Sequence, residues 1–429
     1  MSSTSEQLAA RSQVNEDYPL SAVPLDARKS IWSLAPLLIG FTLYSGTLFA
    51  GGRVGPAFRF PELVSLIVAG NLLLGLYAGL LSYIAARSGL STVLMARFSF
   101  GSVGSRWVDF LLGFTQIGWY AWGSALMADL LNQLAGVPSS FNWLIVLFFT
   151  YFFCSTAYIG YQAMDWLSRI AVPAMLVLMF WSLAIAARDV GGLTGLQAIV
   201  PTEQLGISEA ITIIVGTFVS GGTQATNWSR FAKNGRTAFW STLAAFFLAN
   251  GLLIFSGAFC ALVYGNEDIV QVMAQQGLLF WGLILLFLNM WTTQDNTIYA
   301  FSVAGAHMFR TNKRTAFVLG GATVALVLAW GGIYNLLVPY LILLGTFIPP
   351  IGGVVMADYW LLRRGQFPTL LDQSQPPFNW AGIVAYLIAS AIAWTAPGIK
   401  PINGIIAAVI LYFILSKFVL GTRKTNAMN

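Results

Sequence analysis

Apolar and polar positions alternate along this chain on the scale of whole helices, not of single residues. Twelve apolar segments can be marked, at about 31–50, 61–86, 107–135, 141–160, 165–187, 208–226, 237–264, 279–303, 315–332, 334–362, 378–396 and 402–420. Most approach or exceed the ~20 residues that a helix needs to cross a bilayer. The runs are continuous, unlike the residue-by-residue alternation of a membrane barrel. Segment 10 (334–362) is long for one crossing and holds Pro349-Pro350, which predicts a kink. The loop over 188–207 is the longest exterior-type connection. Residues 266–276 read as a short surface helix before segment 8.

Composition turns this pattern into a fold class. Of 429 residues, 57% are apolar and 9% charged, against about 25% charged in soluble domains. An ordinary cytosolic enzyme, a disordered chain and a disulfide scaffold are excluded on the same grounds. The expectation is an all-α integral membrane protein with twelve transmembrane helices. Cys154 and Cys260 lie inside apolar segments and read as packed thiols. His307 is the single histidine, which argues against a histidine metal site. The net charge of +6 forms no stripe, so no nucleic-acid partner is expected; the partner is the lipid bilayer. Residues 1–30 contain no apolar signal-peptide core. With the N-terminus cytoplasmic, only Arg53, Arg59, Arg188 and Lys400 of the 22 Lys and Arg residues fall outside. The positive-inside rule then supports twelve crossings of a cell (inner) membrane, with tails 1–30 and 421–429 both cytoplasmic.

Spacing suggests internal symmetry. Segments 1 and 6, and segments 3 and 8, begin about 175 residues apart. An offset of five helices is odd, so the second copy is inverted in the membrane, as in transporters built from inverted repeats. The repeats are 31–187 and 208–362, and 378–420 adds two helices. In such transporters, interrupted helices at corresponding places mark the site. Segment 1 contains Gly40-Phe41-Thr42-Leu43-Tyr44-Ser45-Gly46, and segment 6 contains Gly216-Thr217-Phe218-Val219-Ser220-Gly221-Gly222. Unwound backbone there would offer carbonyls to a cation and amides to a substrate. The competing reading is close helix packing on small residues.

Segment 8 carries Asn289, Thr292, Thr293, Gln294, Asp295 and Asn296. Asn289, Thr292, Thr293 and Asn296 share one helical face. Hydroxyl and carbonyl oxygens without a carboxylate suit a monovalent cation such as Na⁺. The alternative is that both threonines bond back to the preceding turn. Asp295 is an ionisable residue at membrane depth, which by default is a functional candidate; Asp129 and Asp358 are weaker ones, and Asp358 lies beside Arg363 and Arg364. On segment 3, Gln116 and Trp119 share a face, continued by Trp122. An amide beside an aromatic plane suits a flat heteroaromatic ligand, with Phe218 as a second plane. Lipid-facing packing is the competing reading for any one of the fifteen tryptophans. Nucleophile, metal-cluster and phosphate-loop signatures are lacking, so no enzyme and no single-chain ATP-driven pump is expected.

Six stretches in order resemble the cytosine permeases of the nucleobase–cation symporter family. They are Ala27-Arg28-Lys29, Gly70–Gly75, Leu94–Gly101, Thr115–Trp119, Asn289–Asn296 and Pro349–Asp358, and the similarity runs from about 23 to 420. The resemblance implies a LeuT-type fold, with substrate held between segments 1, 3, 6 and 8. It implies Trp119 and Phe218 as stacking aromatics. It also places Gln116, Thr217, Ser220, Gln294, Asp295 and Asn296 at the base edge. A Na⁺ site would fall on the backbone carbonyls of Gly40, Leu43 and Asn289 and the hydroxyls of Thr292 and Thr293. The family pattern Thr-Thr-Asn-Asp-Asn departs here at Gln294, a longer amide that bears on which base is accepted. The function expected is import of cytosine or a close nucleobase by a monomer, with Na⁺ as the coupling ion and alternating access. Proton coupling through Asp295 and a facilitative channel are the rival readings.

Overall fold

The computed structural model describes residues 21–159, 161–309, 311, 313–368 and 375–419. Most of both predicted tails and part of the loop before segment 11 lie outside these residues. Among the described residues the regular structure is helical, with one isolated backbone bridge between Lys29 and Ala232. Lipid offers the backbone no hydrogen-bond partners, so a spanning chain must satisfy its amides within each helix.

The helices, in chain order, are α1 (Ile31–Thr42), α2 (Ser45–Val54), α3 (Phe60–Ser88), α4 (Thr92–Phe100), α5 (Ser105–Ala135), α6 (Asn142–Ile159), α7 (Tyr161–Asp189) and α8 (Gly192–Ala198). Then come α9 (Ile207–Gly216), α10 (Val219–Gln224), α11 (Thr226–Ser229), α12 (Gly235–Tyr264), α13 (Ile269–Gln275) and α14 (Leu279–Met308). The chain ends with α15 (Arg314–Trp330), α16 (Leu337–Phe347), α17 (Pro349–Ala357), α18 (Trp380–Thr395) and α19 (Lys400–Ile414). Among the described residues, five helical spans are long and apolar enough to cross a membrane on their own. A pair bent by 81°, Pro173–Asp189 with Gly192–Ala198, would make a sixth, and three shorter apolar helices accompany them. A polytopic helical membrane protein follows; length and composition alone do not reach the expected twelve. One reason is that segments 1 and 6 are each split in two. Segment 10 bends at Ile348, ahead of Pro349-Pro350, as expected.

Two short helices sit in corresponding loops: α4 follows α3, and α13 follows α12. The α4 helix was not among the expected segments, because nine residues are too few for a span. It grips the end of the split segment 6. The Thr92 amide donates to Thr226 Oγ1 at 2.9 Å, its hydroxyl reaches the Thr223 carbonyl at 2.5 Å, and the Thr92 and Thr226 hydroxyls touch.

The second half of segment 1, α2, is buried along nearly its whole length against α12. A Cβ at Gly51, Gly55 or Gly257 would run into a carbonyl of the facing helix, which is the close approach that small residues permit. Asp358 is tied down as expected: Arg363 Nε donates to it at 3.0 Å and Ser99 at 3.1 Å. Cys154 and Cys260 are free, buried thiols.

Candidate substrate and cation site

Segment 1 breaks where the glycine-flanked stretch predicted. The α1 helix stops at Thr42, Leu43 and Tyr44 leave helical geometry, and α2 starts at Ser45. Such a break leaves backbone groups without helical partners. A side chain from α14 supplies two of them. Asn289 Oδ1 accepts from the Ser45 amide at 2.9 Å, and its Nδ2 donates to the Leu43 carbonyl at 3.4 Å. Asn289 is fully buried. Its main-chain carbonyl in turn accepts from Thr292 Oγ1 at 2.8 Å and Thr293 Oγ1 at 2.9 Å. Leu43, Asn289, Thr292 and Thr293 are thus brought together by direct bonds. Gly40 joins through its carbonyl, which accepts from the Leu43 amide at 3.4 Å.

Both threonines back-bond to the preceding turn, the alternative weighed from sequence. A donating hydroxyl keeps lone pairs free, so the back-bonds leave the oxygens able to accept. The donor set is all oxygen, without a carboxylate, which fits a monovalent cation. Among the described residues no group of three or more His, Cys, Asp or Glu side chains could hold a metal ion.

Segment 6 breaks at Phe218, whose φ of −139° and ψ of 12° separate α9 from α10. The break is closed locally. The Phe218 carbonyl accepts from the Gly222 amide at 2.7 Å, and Thr217 Oγ1 donates to the Ile214 carbonyl at 2.7 Å. The Phe218 ring lies edge-on to Phe41 at 5.2 Å and Phe246 at 5.7 Å, and it covers the bare face of Gly221. Ser220, the second residue of α10, is buried. Gly216 also serves packing, since a Cβ there would meet the Leu341 carbonyl.

On α5, Trp119 is buried and edge-on to Tyr44 at 5.2 Å and Tyr340 at 5.3 Å. Gln116 is half-buried one turn before it. The tyrosines were missed in the sequence, where nothing separates them from thirteen others. At one end of this wall Phe49, Arg53, Trp122, Glu267, Asp268 and Tyr334 line a small cleft. It is roofed by polar contacts: Arg53 pairs with Glu267, Gln133 Nε2 donates to Asp129 and Asp268, and Tyr334 donates to Asp129 at 2.8 Å.

The Gln294–Asn296 stretch is not gathered at one edge. Successive helical residues point about 100° apart, so the three spread around α14. Gln294 is buried against α5, with Nε2 donating to the Tyr120 carbonyl at 2.5 Å. Asp295 is buried facing α6, where Oδ2 accepts from Thr156 at 2.9 Å. Asn296 is exposed and donates to the Thr292 carbonyl at 2.7 Å. Of the three, only Gln294 borders the helix that carries Trp119.

Two interrupted apolar segments, an oxygen-rich seam at one break and aromatic rings at the other are features of a membrane transporter for a small solute. Comparison with known proteins makes this specific. The family of permeases for cytosine/purines, uracil, thiamine and allantoin matches residues 23–420, and the chain belongs to that family: it is a multi-pass membrane permease for nucleobase-type substrates, not an enzyme. Cytosine permease of Escherichia coli (strain K12) is 35% identical, covering 96% of this chain and 97% of its own. Hydantoin permease of Microbacterium maritypicum is 22% identical, covering 96% and 91%. The inward-facing conformation of Mhp1 superposes with a TM-score of 0.82 at 20% identity, covering 94% of each chain. Mhp1 in a closed conformation with bromovinylhydantoin bound gives 0.79 at 19% identity, covering 95% and 96%. The expected LeuT-type architecture agrees with these neighbours.

Proposed function

We propose that this permease imports cytosine, or a close nucleobase, by symport with Na⁺ through alternating access. The observation that carries the reading is the seam between Asn289 and the break of segment 1, where Leu43, Thr292 and Thr293 converge beside the wall that holds Trp119. A Na⁺ ion bridging α1 to α14 would favour the state that binds substrate. Cytosine is neutral at pH 7, so amides and hydroxyls suffice at its edge. Gln116 and Ser220 are proposed for that role, with Trp119 and Phe218 as the stacking aromatics. The 35% identity to a curated cytosine permease supports the substrate. One charge crossing 100 mV supplies about 2.3 kcal/mol, and a tenfold Na⁺ gradient adds about 1.4 kcal/mol. Together they concentrate a neutral base roughly several hundredfold.

The same reading takes 31–187 and 208–362 as inverted repeats, with 378–420 outside them. Support comes from the breaks at Leu43 and Phe218, about 175 residues apart, and from the short helices α4 and α13 in matching loops. It has twelve crossings in the inner membrane, both tails cytoplasmic, and a monomer. Proton coupling is a second reading. It is favoured by Asp295, a fully buried carboxylate whose Oδ1 has no hydrogen-bond partner.

Uptake of radiolabelled cytosine into proteoliposomes tests the proposal, with an imposed Na⁺ gradient and then K⁺ in its place. Uracil, adenine and hydantoins serve as competitors. Na⁺-driven accumulation that is lost in Thr293→Ala supports it. Accumulation driven by a proton gradient, indifferent to Na⁺ and lost in Asp295→Asn, moves the coupling to the second reading.

A further inference from the structure

A five-residue π-helical turn, Ala245–Ala249, interrupts α12 near its middle. Such turns shift the carbonyls of a helix out of register and recur at functional sites. Here the Ala245 carbonyl accepts the hydroxyl of Thr42 at 3.3 Å, as well as the amide of Asn250. Asn250 stands directly after the turn. Its Oδ1 accepts from Thr47 Oγ1 at 3.1 Å. Its Nδ2 donates to Asn71 Oδ1 at 2.8 Å and to Thr217 Oγ1 at 3.2 Å. Asn71 passes its own amide to the Ile67 carbonyl at 2.9 Å. Thr47, Asn71, Thr217 and Asn250 are all at most 1% exposed.

The position of these groups matters more than their number. Thr42 and Thr47 flank the break of segment 1, and Thr217 opens the break of segment 6. One helix therefore holds both breaks at once, through three side chains that have no water to turn to if released. Both hydrogens and the oxygen of the Asn250 amide are engaged, which fixes its orientation without ambiguity. A residue serving packing alone would be met as well by leucine, which carries none of these bonds.

We propose that Asn250 is a positioning residue for the two helix breaks: its amide keeps Thr47 and Thr217 at a fixed separation, and so sets the affinity of the nucleobase site proposed at those breaks. The affinity part rests on that nucleobase reading; the positioning part does not. Hydrogen–deuterium exchange on the purified full chain, read beside uptake kinetics, tests both. In Asn250→Ala, peptides covering 40–48 and 214–222 should exchange faster, while those of α18 and α19 stay unchanged. The KM for the transported base should rise about tenfold, the loss of one or two buried hydrogen bonds, with the maximal rate within about twofold. Thr47→Val, which breaks one bond and keeps the shape, should speed exchange at 40–48 alone; it decides the matter if Asn250→Ala does not fold. Unchanged exchange at both breaks, or a rise spread evenly over all helices, overturns the proposal. Transport of a base other than cytosine would correct the substrate while leaving the exchange result to stand by itself.

Discussion

The breaks of segments 1 and 6 meet the same backbone problem with different material. At Leu43–Tyr44 the loose carbonyl and amide are met by the side chain of Asn289, which belongs to another helix. At Phe218 the backbone closes on itself through Gly222, and the turn is covered by its own buried ring, set edge-on against Phe41 and Phe246. The first break is therefore sensitive to any movement of α14 against α1. The second closes on its own backbone, while Thr217 at its start is held by Asn250 of α12. This division suits a symporter in which one break senses an ion and the other a planar base, with α12 spanning the two.

The largest effect should come from the polar break. Asn289→Ala strips the partners from the Ser45 amide and the Leu43 carbonyl and opens a cavity. Two orphaned buried groups cost about 2–6 kcal/mol, so thermal unfolding should shift down markedly and uptake should fall below detection. Unchanged stability would mean that the break of segment 1 does not depend on α14. Next is the aromatic wall. Stacking of a base is worth about 1–3 kcal/mol, so Trp119→Ala should raise KM roughly tenfold to a hundredfold, while Trp119→Phe recovers most of it. Equal loss in both would point to packing against Tyr44 and Tyr340 instead of stacking. The smallest effect belongs to the Arg53–Glu267 pair. Arg53 and Glu267 are partly exposed, and such pairs contribute under about 1 kcal/mol. Glu267→Gln should change the uptake rate by no more than about twofold, with KM unmoved.

Much of this was legible in the sequence, for physical reasons. Apolar runs long enough for a bilayer mark helices wherever lipid is the solvent, and observed ends such as Gly235–Tyr264 fall within a few residues of those read from hydropathy. The breaks were legible because polar residues between glycines are costly in a membrane helix unless the backbone opens there. Asn289, Thr292 and Thr293 stood out as polar oxygen-bearing residues in an apolar run. What escaped is what depends on a partner distant in sequence. The side chain of Asn289, not its carbonyl alone, completes the break of segment 1, and only the packing of α14 on α1 reveals that. Asn71 and Asn250 look like isolated polar residues until α3 and α12 meet. The Gln294–Asn296 trio fell short for a simpler reason: neighbours in sequence diverge around a helix, so a polar run cannot line one edge. The glycines at 216 and 221 turned out to serve packing as well as the break, and no single-sequence pattern separates those two uses.

The account turns on linkage between the two breaks, and linkage is reciprocal. The most direct test is equilibrium binding of radiolabelled cytosine to the purified protein, titrated with Na⁺ against K⁺ at constant ionic strength. The account predicts that Na⁺ tightens cytosine binding about tenfold or more, that cytosine tightens Na⁺ binding by the same factor, and that Thr293→Ala abolishes both. Equal affinity for cytosine in Na⁺ and K⁺ would contradict it.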